Sequence, residues 1–245
     1  MAFLSKLFSK ASNSDSQPRV DMHSHLIPGI DDGSESIEES IELIKRMVDL
    51  GYQKIITTPH IMGDFYKNTP EIISEGLETV RAALKKENVE VVIEAAAEYY
   101  LDEWFVEKLD RKDELLTFGG NYLLVETSYL NRPSNLFDII FKIQSAGYKV
   151  VLAHPERYTY MYDDFSAYEK LYSKNIYFQL NLNSLSGYYS PMAKKISEKL
   201  IDKRMIQFIG TDCHGDRHLD CLESKTRKSK YYSRLLKLPL LNDSV

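Results

Sequence analysis

From Arg19 onward, short apolar runs rich in β-branched residues alternate with longer stretches whose apolar positions recur at helical spacing. That alternation predicts βα units and a parallel sheet. Seven runs read as strands: residues 20–25, 54–58, 89–98, 122–126, 148–154, 176–182 and 205–211. After the first, Ile37, Ile41, Ile44 and Val48 mark one helical face, with Ser36 and Glu39 as a capping box and Gly51 as a stop. Further helices are expected over about 70–86, 101–109, 165–173 and 191–203, and one with Pro133 at its first position and Phe137, Ile140 and Phe141 on one face. From Leu222 the chain reads as a basic, helix-like tail.

Residues 11–18, ASNSDSQP, are small and polar and end in proline, so residues 1–18 read as a flexible leader and 19–245 as one domain. Within the leader, Phe3, Leu4, Leu7 and Phe8 beside Lys6 and Lys10 read as a frayed terminus, with a short amphipathic turn as the alternative. A length of 245 residues accommodates a single α/β barrel. With 43% hydrophobic and 27% charged residues the chain is ordinary for a soluble globular protein, and a net charge of -5 argues against a nucleic-acid partner. Two cysteines are too few for a disulfide framework, and neither a signal peptide nor a transmembrane segment is visible, which together predict a cytoplasmic location.

Chemistry collects at the ends of the predicted strands. His23, His25, His60, His154 and His214 fall in VDMHSH, IITTPH, VVLAHP and FIGTDCH; Glu98 and Glu126 end two further runs, and Asp212 shares the last strand end with His214. In a parallel barrel all C-terminal strand ends meet on one face, so these residues converge. Singly, each histidine reads as a hydrogen-bonded core or loop residue and each glutamate as a salt-bridge partner. Repetition at one position of the βα unit is different, because packing would place aliphatic residues there. Carboxylates gathered without an intervening lysine or arginine repel one another unless divalent cations neutralise them, and a mixed imidazole and oxygen set suits zinc, iron, manganese and similar ions. Asp31 and Asp32 before Gly33 fit an Asp-Gly turn, or one of them a further ligand, and His218 reads as surface.

DMHSHLIPGIDDG, TTPH, the glutamates of AAAEYY and LLVETS, LAHPERY and GTDCHG, in that order over residues 20 to 220, resemble the motifs of the polymerase and histidinol phosphatase superfamily. More narrowly they resemble its bacterial capsule and exopolysaccharide branch of manganese-dependent protein-tyrosine phosphatases. The resemblance implies a distorted seven-stranded (β/α) TIM-like barrel in a single domain, holding up to three divalent ions, Mn2+ foremost, with Fe, Zn, Co or Mg as alternatives. It implies that His23, His25, Glu98 and Asp212 hold one ion, that Glu98 bridges to a second held by Glu126 and His154, and that Asp32, His60 and His214 hold the third. Arg157 of LAHPERY matches an arginine that binds the substrate phosphate, and Arg217 is its counterpart after the last strand, although HGDRHLD departs from the usual asparagine-containing loop. Apart from the resemblance, both arginines read as surface salt-bridge partners.

The implied activity is hydrolysis of phosphotyrosine by hydroxide generated on the metals, with both arginines in catalysis and substrate binding. The implied partner is a tyrosine-phosphorylated protein, foremost a membrane-anchored bacterial tyrosine kinase that would bring the chain to the inner membrane face. A histidinol-phosphate or other small-molecule phosphatase is the nearest alternative. A metal-retaining binding module is a rival from another class. CLESKTR, residues 221–227, has the C-x5-R spacing of cysteine-dependent tyrosine phosphatases, but it lacks the glycines and the preceding strand that cradle phosphate there.

Overall fold

Strands form where aliphatic and β-branched residues run together, and in the computed structural model, which describes residues 17–245, the seven expected runs become eight strands, with a ninth, His60–Ile61, just beyond the second run. They are β1 (Val20–Asp21), β2 (Lys54–Thr57), β3 (His60–Ile61), β4 (Val92–Ala95), β5 (Glu98–Tyr100), β6 (Tyr122–Glu126), β7 (Lys149–Ala153), β8 (Tyr177–Asn181) and β9 (Phe208–Gly210). The second run ends at Thr57, where the ladder stops because Pro59 has no N–H to donate, and β3 opens directly after the proline. The third run breaks at Ala96 and Ala97. The strands sort into two curled parallel sheets, ordered β1-β2-β4 and β3-β5-β6-β7-β8-β9.

The first and last runs are also shorter than predicted. Beyond Asp21 the chain leaves regular pairing but stays beside the end of β9: Asp212 N donates to His23 O (2.8 Å), His25 N to Cys213 O (2.9 Å), and Ser24 bridges Cys213 in parallel. At the other end of this seam the buried Asn242 side chain accepts from Ile209 N (3.0 Å) and donates to Val20 O (3.0 Å) and Ile209 O (2.7 Å). The basic tail is therefore part of the packed structure.

Helices α1 (Ile37–Asp49), α2 (Pro70–Lys86), α3 (Glu103–Arg111), α4 (Leu136–Ser145), α5 (Phe165–Tyr172), α6 (Pro191–Asp202), α7 (Asp216–Ser224) and α8 (Lys230–Leu235) lie between and after the strands. Ser36 caps α1 by accepting from Glu39 N, but the Glu39 carboxylate reaches Glu35 N rather than closing a box on Ser36. Pro133 does not start α4; Asn135 is its cap, and Leu136 N donates to Pro133 O across the preceding turn. Alternation along the strands separates two cores. On β6, Leu124 joins an inner cluster with Met22, Ile56, Val151 and Phe208, while Leu123 and Val125 join the larger cluster that includes Ile139 and Ile140 of α4.

The expected turn at Phe3 to Phe8, and the leader as far as residue 16, lie outside the described residues. Gln17 Oε1 accepts from Arg227 Nη2 (2.9 Å) and Tyr232 Oη (2.7 Å). Among the described residues no helix is long and apolar enough to cross a membrane.

Candidate metal centre

Parallel pairing carries the strand-end residues to one face. His60 and Glu98 are direct register partners at the starts of β3 and β5, Glu126 ends β6, and His154 and Asp212 lie just past β7 and β9. His154 (φ 32) and Asp212 (φ 49) both adopt the left-handed backbone region that residues with a Cβ avoid. Strain of this kind collects at functional sites, and here it occurs at two of the strand ends whose side chains enter the cluster. Gly210 serves the same crowding: a Cβ there would sit 2.6 Å from His23 Cβ and 2.9 Å from Gln179 Nε2.

The nine expected residues come together in overlapping groups whose ligand atoms all lie within 4.8 Å of one another: His25, Asp32, His60 and His214; His23, His154 and Asp212; His23, His25 and Glu98; and His60, Glu98 and Glu126. The grouping mixes the three sets implied by sequence, because His25 and His60 each belong to two groups and His154 sits with His23 and Asp212. Glu98 is central, with Oε2 3.2 Å from His23 Nε2, 3.5 Å from His25 Nε2 and 3.3 Å from His60 Nδ1, and Oε1 2.9 Å from His154 Nε2. His60 Nδ1 is buried and has no hydrogen bond, although Glu98 Oε2 and Glu126 Oε1 each lie 3.3 Å away. An orphaned imidazole nitrogen facing two carboxylates fits a shared cation, and the donor set of imidazoles and carboxylates suits a divalent one.

Electrostatics point the same way. Burial disfavours the imidazolium of His23, yet Glu98 and Asp212 outweigh it and push the group up to about 9. His60, against burial but beside Glu98 and Glu126, rises to about 10, and His214, against burial but beside Asp212 and Asp32, rises to about 9. Burial would raise the Asp212 carboxyl, but His23, His214 and Arg157 hold it below the usual carboxylate range. Carboxylates this enclosed favour positive charge beside them, and His23, His60 and His214 are the imidazoles whose protonated form they favour.

A second ring orients these groups. The Asp-Gly turn separates its two acids: Asp32 Oδ1 faces His60 Nε2 (3.5 Å) and His214 Nε2 (3.4 Å), while Asp31 accepts from His25 Nδ1 (2.7 Å), His60 N (3.0 Å) and Gly33 N (3.0 Å). Gln179 Oε1 accepts from His23 Nδ1 (2.8 Å) and His154 N (3.1 Å), and its Nε2 donates to Asn181 Oδ1 (2.9 Å). Asn181 Nδ2 in turn donates to Asp212 Oδ2 (2.6 Å). Sequence reasoning missed Gln179 and Asn181. Their signal is two amides at alternate positions of an otherwise apolar strand, which puts both on its inner face.

Arg157 stands at the edge, its Nη1 3.0 Å from Asp212 Oδ2 and its guanidinium between the rings of Tyr129 (4.5 Å) and Tyr189 (4.2 Å). Arg217 stands apart, exposed in the first turn of α7, with no hydrogen bond or ion pair among the described residues. His218, expected at the surface, is half-buried: its ring lies 5.4 Å from that of His214, its Nδ1 accepts from His214 N (3.4 Å), and burial pushes it down to about 4 despite Asp212. Cys221 is inside α7, 3.1 Å from Ser186 Oγ, and Arg227 binds Gln17 and Leu50 O, so CLESKTR forms no phosphate cradle.

The chain is similar to known proteins to different depths. The tyrosine-protein phosphatase YwqE of Bacillus subtilis (strain 168) is 28% identical over 196 residues, 80% of this chain and 77% of its own. A solved structure from the pair YwqE of Bacillus subtilis and CpsB of Streptococcus pneumoniae, described as metal-dependent tyrosine phosphatases, superimposes with a TM-score of 0.75 at 26% identity, covering 90% of this chain and 95% of that one. A histidinol phosphate phosphatase from Lactococcus lactis subsp. lactis Il1403, with zinc, L-histidinol and phosphate bound, has a TM-score of 0.50 at 12% identity over 86% of this chain and 92% of its own, a likeness of fold alone. The family model for capsular polysaccharide synthesis, CpsB/CapC, matches residues 19–231. This chain therefore belongs to the CpsB/CapC family.

Proposed function

We propose that this chain is a metal-dependent protein-tyrosine phosphatase that hydrolyses phosphotyrosine on a protein and so regulates capsule or exopolysaccharide synthesis. The observation that carries the reading is the convergence of nine imidazole and carboxylate side chains on one face, with Arg157 at their edge, in a family whose relatives are named tyrosine-protein phosphatases. His23, His25, Glu98 and Asp212 would hold one ion, Glu98, Glu126 and His154 a second, and Asp32, His60 and His214 a third. Mn2+ is the proposed metal, with Fe, Zn, Co and Mg as alternatives. When bound, such ions lower the pKa of a water toward neutrality and neutralise charge on phosphoryl oxygens.

The chain's own residues do the rest. Asp31 and Gln179 fix the planes of His25 and His23, so their ligand nitrogens face inward before any ion arrives. Arg157, held by Asp212 and two aromatic rings, offers the rest of its guanidinium edge to phosphoryl oxygens, and Arg217 is a candidate second contact from α7. A phenol, with a pKa of about 10, leaves more readily than an alcohol, so a tyrosine ester makes a smaller demand on a general acid.

The two sheets are proposed to constitute one distorted seven-stranded barrel, with residues 19–245 a single domain. The partner fitting this activity is a membrane-anchored bacterial tyrosine kinase, which would bring a cytoplasmic phosphatase to the inner membrane face. Phosphate release from a phosphotyrosine peptide, with histidinol phosphate alongside, tests the reading. Hydrolysis of the peptide should exceed that of histidinol phosphate, vanish on exhaustive chelation, return with Mn2+ and survive Cys221→Ser. Faster turnover of histidinol phosphate would select the small-molecule alternative, and hydrolysis undiminished by chelation would overturn the metal-dependent mechanism altogether.

A further inference from the structure

Arg157 lines a groove of about 460 Å3, a size typical of small-ligand sites. Its walls include Tyr129, Tyr162, Tyr189, Pro191 and Met192, with Thr159 at the lip. Resting on the phosphatase reading above, we propose that this groove is the subsite for the aromatic ring of the ester being cleaved, and that it selects aryl over alkyl phosphates.

Arg157 sets the geometry of the groove. The rings of Tyr129 and Tyr189 lie 4.5 Å and 4.2 Å from the Arg157 guanidinium carbon, and the guanidinium's one hydrogen bond among the described residues goes to Asp212. The guanidinium N–H groups not given to Asp212 are the ones left for a phosphate seated beside the cluster. The two tyrosines are anchored at their far ends as well: Tyr129 Oη donates to Glu126 Oε2 (3.4 Å) and Tyr189 Oη to Asp212 Oδ2 (3.3 Å). They thus form a wall of the groove while their hydroxyls reach acids of the cluster.

The ester substituent of a phosphate seated at Arg157 then enters a space bounded by aromatic and thioether surface. Tyr162 and Met192 are half-buried and Pro191 exposed, so each keeps surface to meet a ligand, although Tyr162 also packs against the core. A flat ring can lie against the tyrosines with offset or edge contact, and the methionine sulfur makes a favourable contact with a ring edge. A serine or small alkyl ester reaches the same phosphate position with little surface to cover these walls.

Binding of phenylphosphonate and methylphosphonate to the full chain loaded with Mn2+, read by calorimetry, tests this without turnover. Wild type should bind phenylphosphonate about tenfold more tightly, the scale expected for apolar pocket contacts. Tyr162→Ala combined with Met192→Ala should erase most of that preference, and Tyr162→Phe should keep it; Met192→Ala alone, expected to weaken it, serves if the double variant does not fold. Equal binding of the two ligands by wild type, or a preference unchanged in the alanine variants, overturns the proposal. If the preference exists and is lost as expected while no phosphomonoester is hydrolysed, the ring subsite stands and the phosphatase reading fails. If a phosphotyrosine peptide is hydrolysed but the phosphonates bind alike, the phosphatase reading stands and the ring subsite fails.

Discussion

Gln179 joins the elements of the centre by one side chain, holding His23 through its imidazole, His154 through its backbone and Asp212 through Asn181. Groups that orient ligands are worth about 10- to 100-fold in metal affinity. Gln179→Leu, close in size and without the amide, should therefore weaken Mn2+ binding by about that factor in a calorimetric titration, and unchanged affinity would remove its orienting role. Protons give a second prediction. His23, His60 and His214 are raised above the ordinary imidazole value to about 9, 10 and 9, so their protonation stabilises the metal-free fold fully below about pH 6.5. That stability is lost as pH rises through 9 to 10, where the three groups release their protons. Cations compete for the same lone pairs, so adding Mn2+ to weakly buffered metal-free protein near pH 7.5 should liberate up to about three protons per chain; titration without acidification would contradict this. The histidines and acids were legible because titratable groups at apolar strand ends have no packing reason to be there. Gln179 and Asn181 were not, because neutral amides in a strand carry no charge to attract notice.

The strands show where local pattern stops being sufficient. Run 54–58 ended visibly at Pro59, but run 89–98 read as one strand although Ala96 and Ala97 carry it from one sheet to the other. Nothing in two alanines announces a break, because it is set by which neighbour each half pairs with: β4 with β2, and β5 with β3 and β6. The C-terminal segment was equally illegible. Its helical character was apparent, but the seam that Asn242 closes between β1 and β9 depends on contacts 222 and 33 residues away along the chain. Asn242→Ala leaves the Ile209 N–H and two carbonyls without these partners, and an unsatisfied buried donor costs about 1 to 3 kcal/mol. Urea denaturation should show a loss of about 2 kcal/mol, and an unchanged midpoint would mean that water or a shifted backbone satisfies the groups instead.

Across the whole molecule, chemistry and cohesion are separated. The metal-site candidates occupy the face where the strands end, whereas the Asn242 contacts close the opposite end of the β1–β9 seam. The sequence conveyed this plan because a parallel βα chain has one C-terminal face, whatever its strand count. Arg157 was legible through the strand-end motif that carries it, while the wall formed by Tyr129 and Tyr189 arises from loops distant in sequence and needed the folded chain to be seen. In the proposed enzyme, cations hold the dispersed acids and imidazoles together. Anomalous diffraction from a crystal of the chain grown with Mn2+ would locate them. Peaks should lie about 2 Å from the Glu98 carboxylate, with His23, His25 and Asp212 around one of them and Glu126 and His154 around another. A well-ordered Glu98 with no peak beside it, in crystals whose solution contains the metal in excess, would contradict the account.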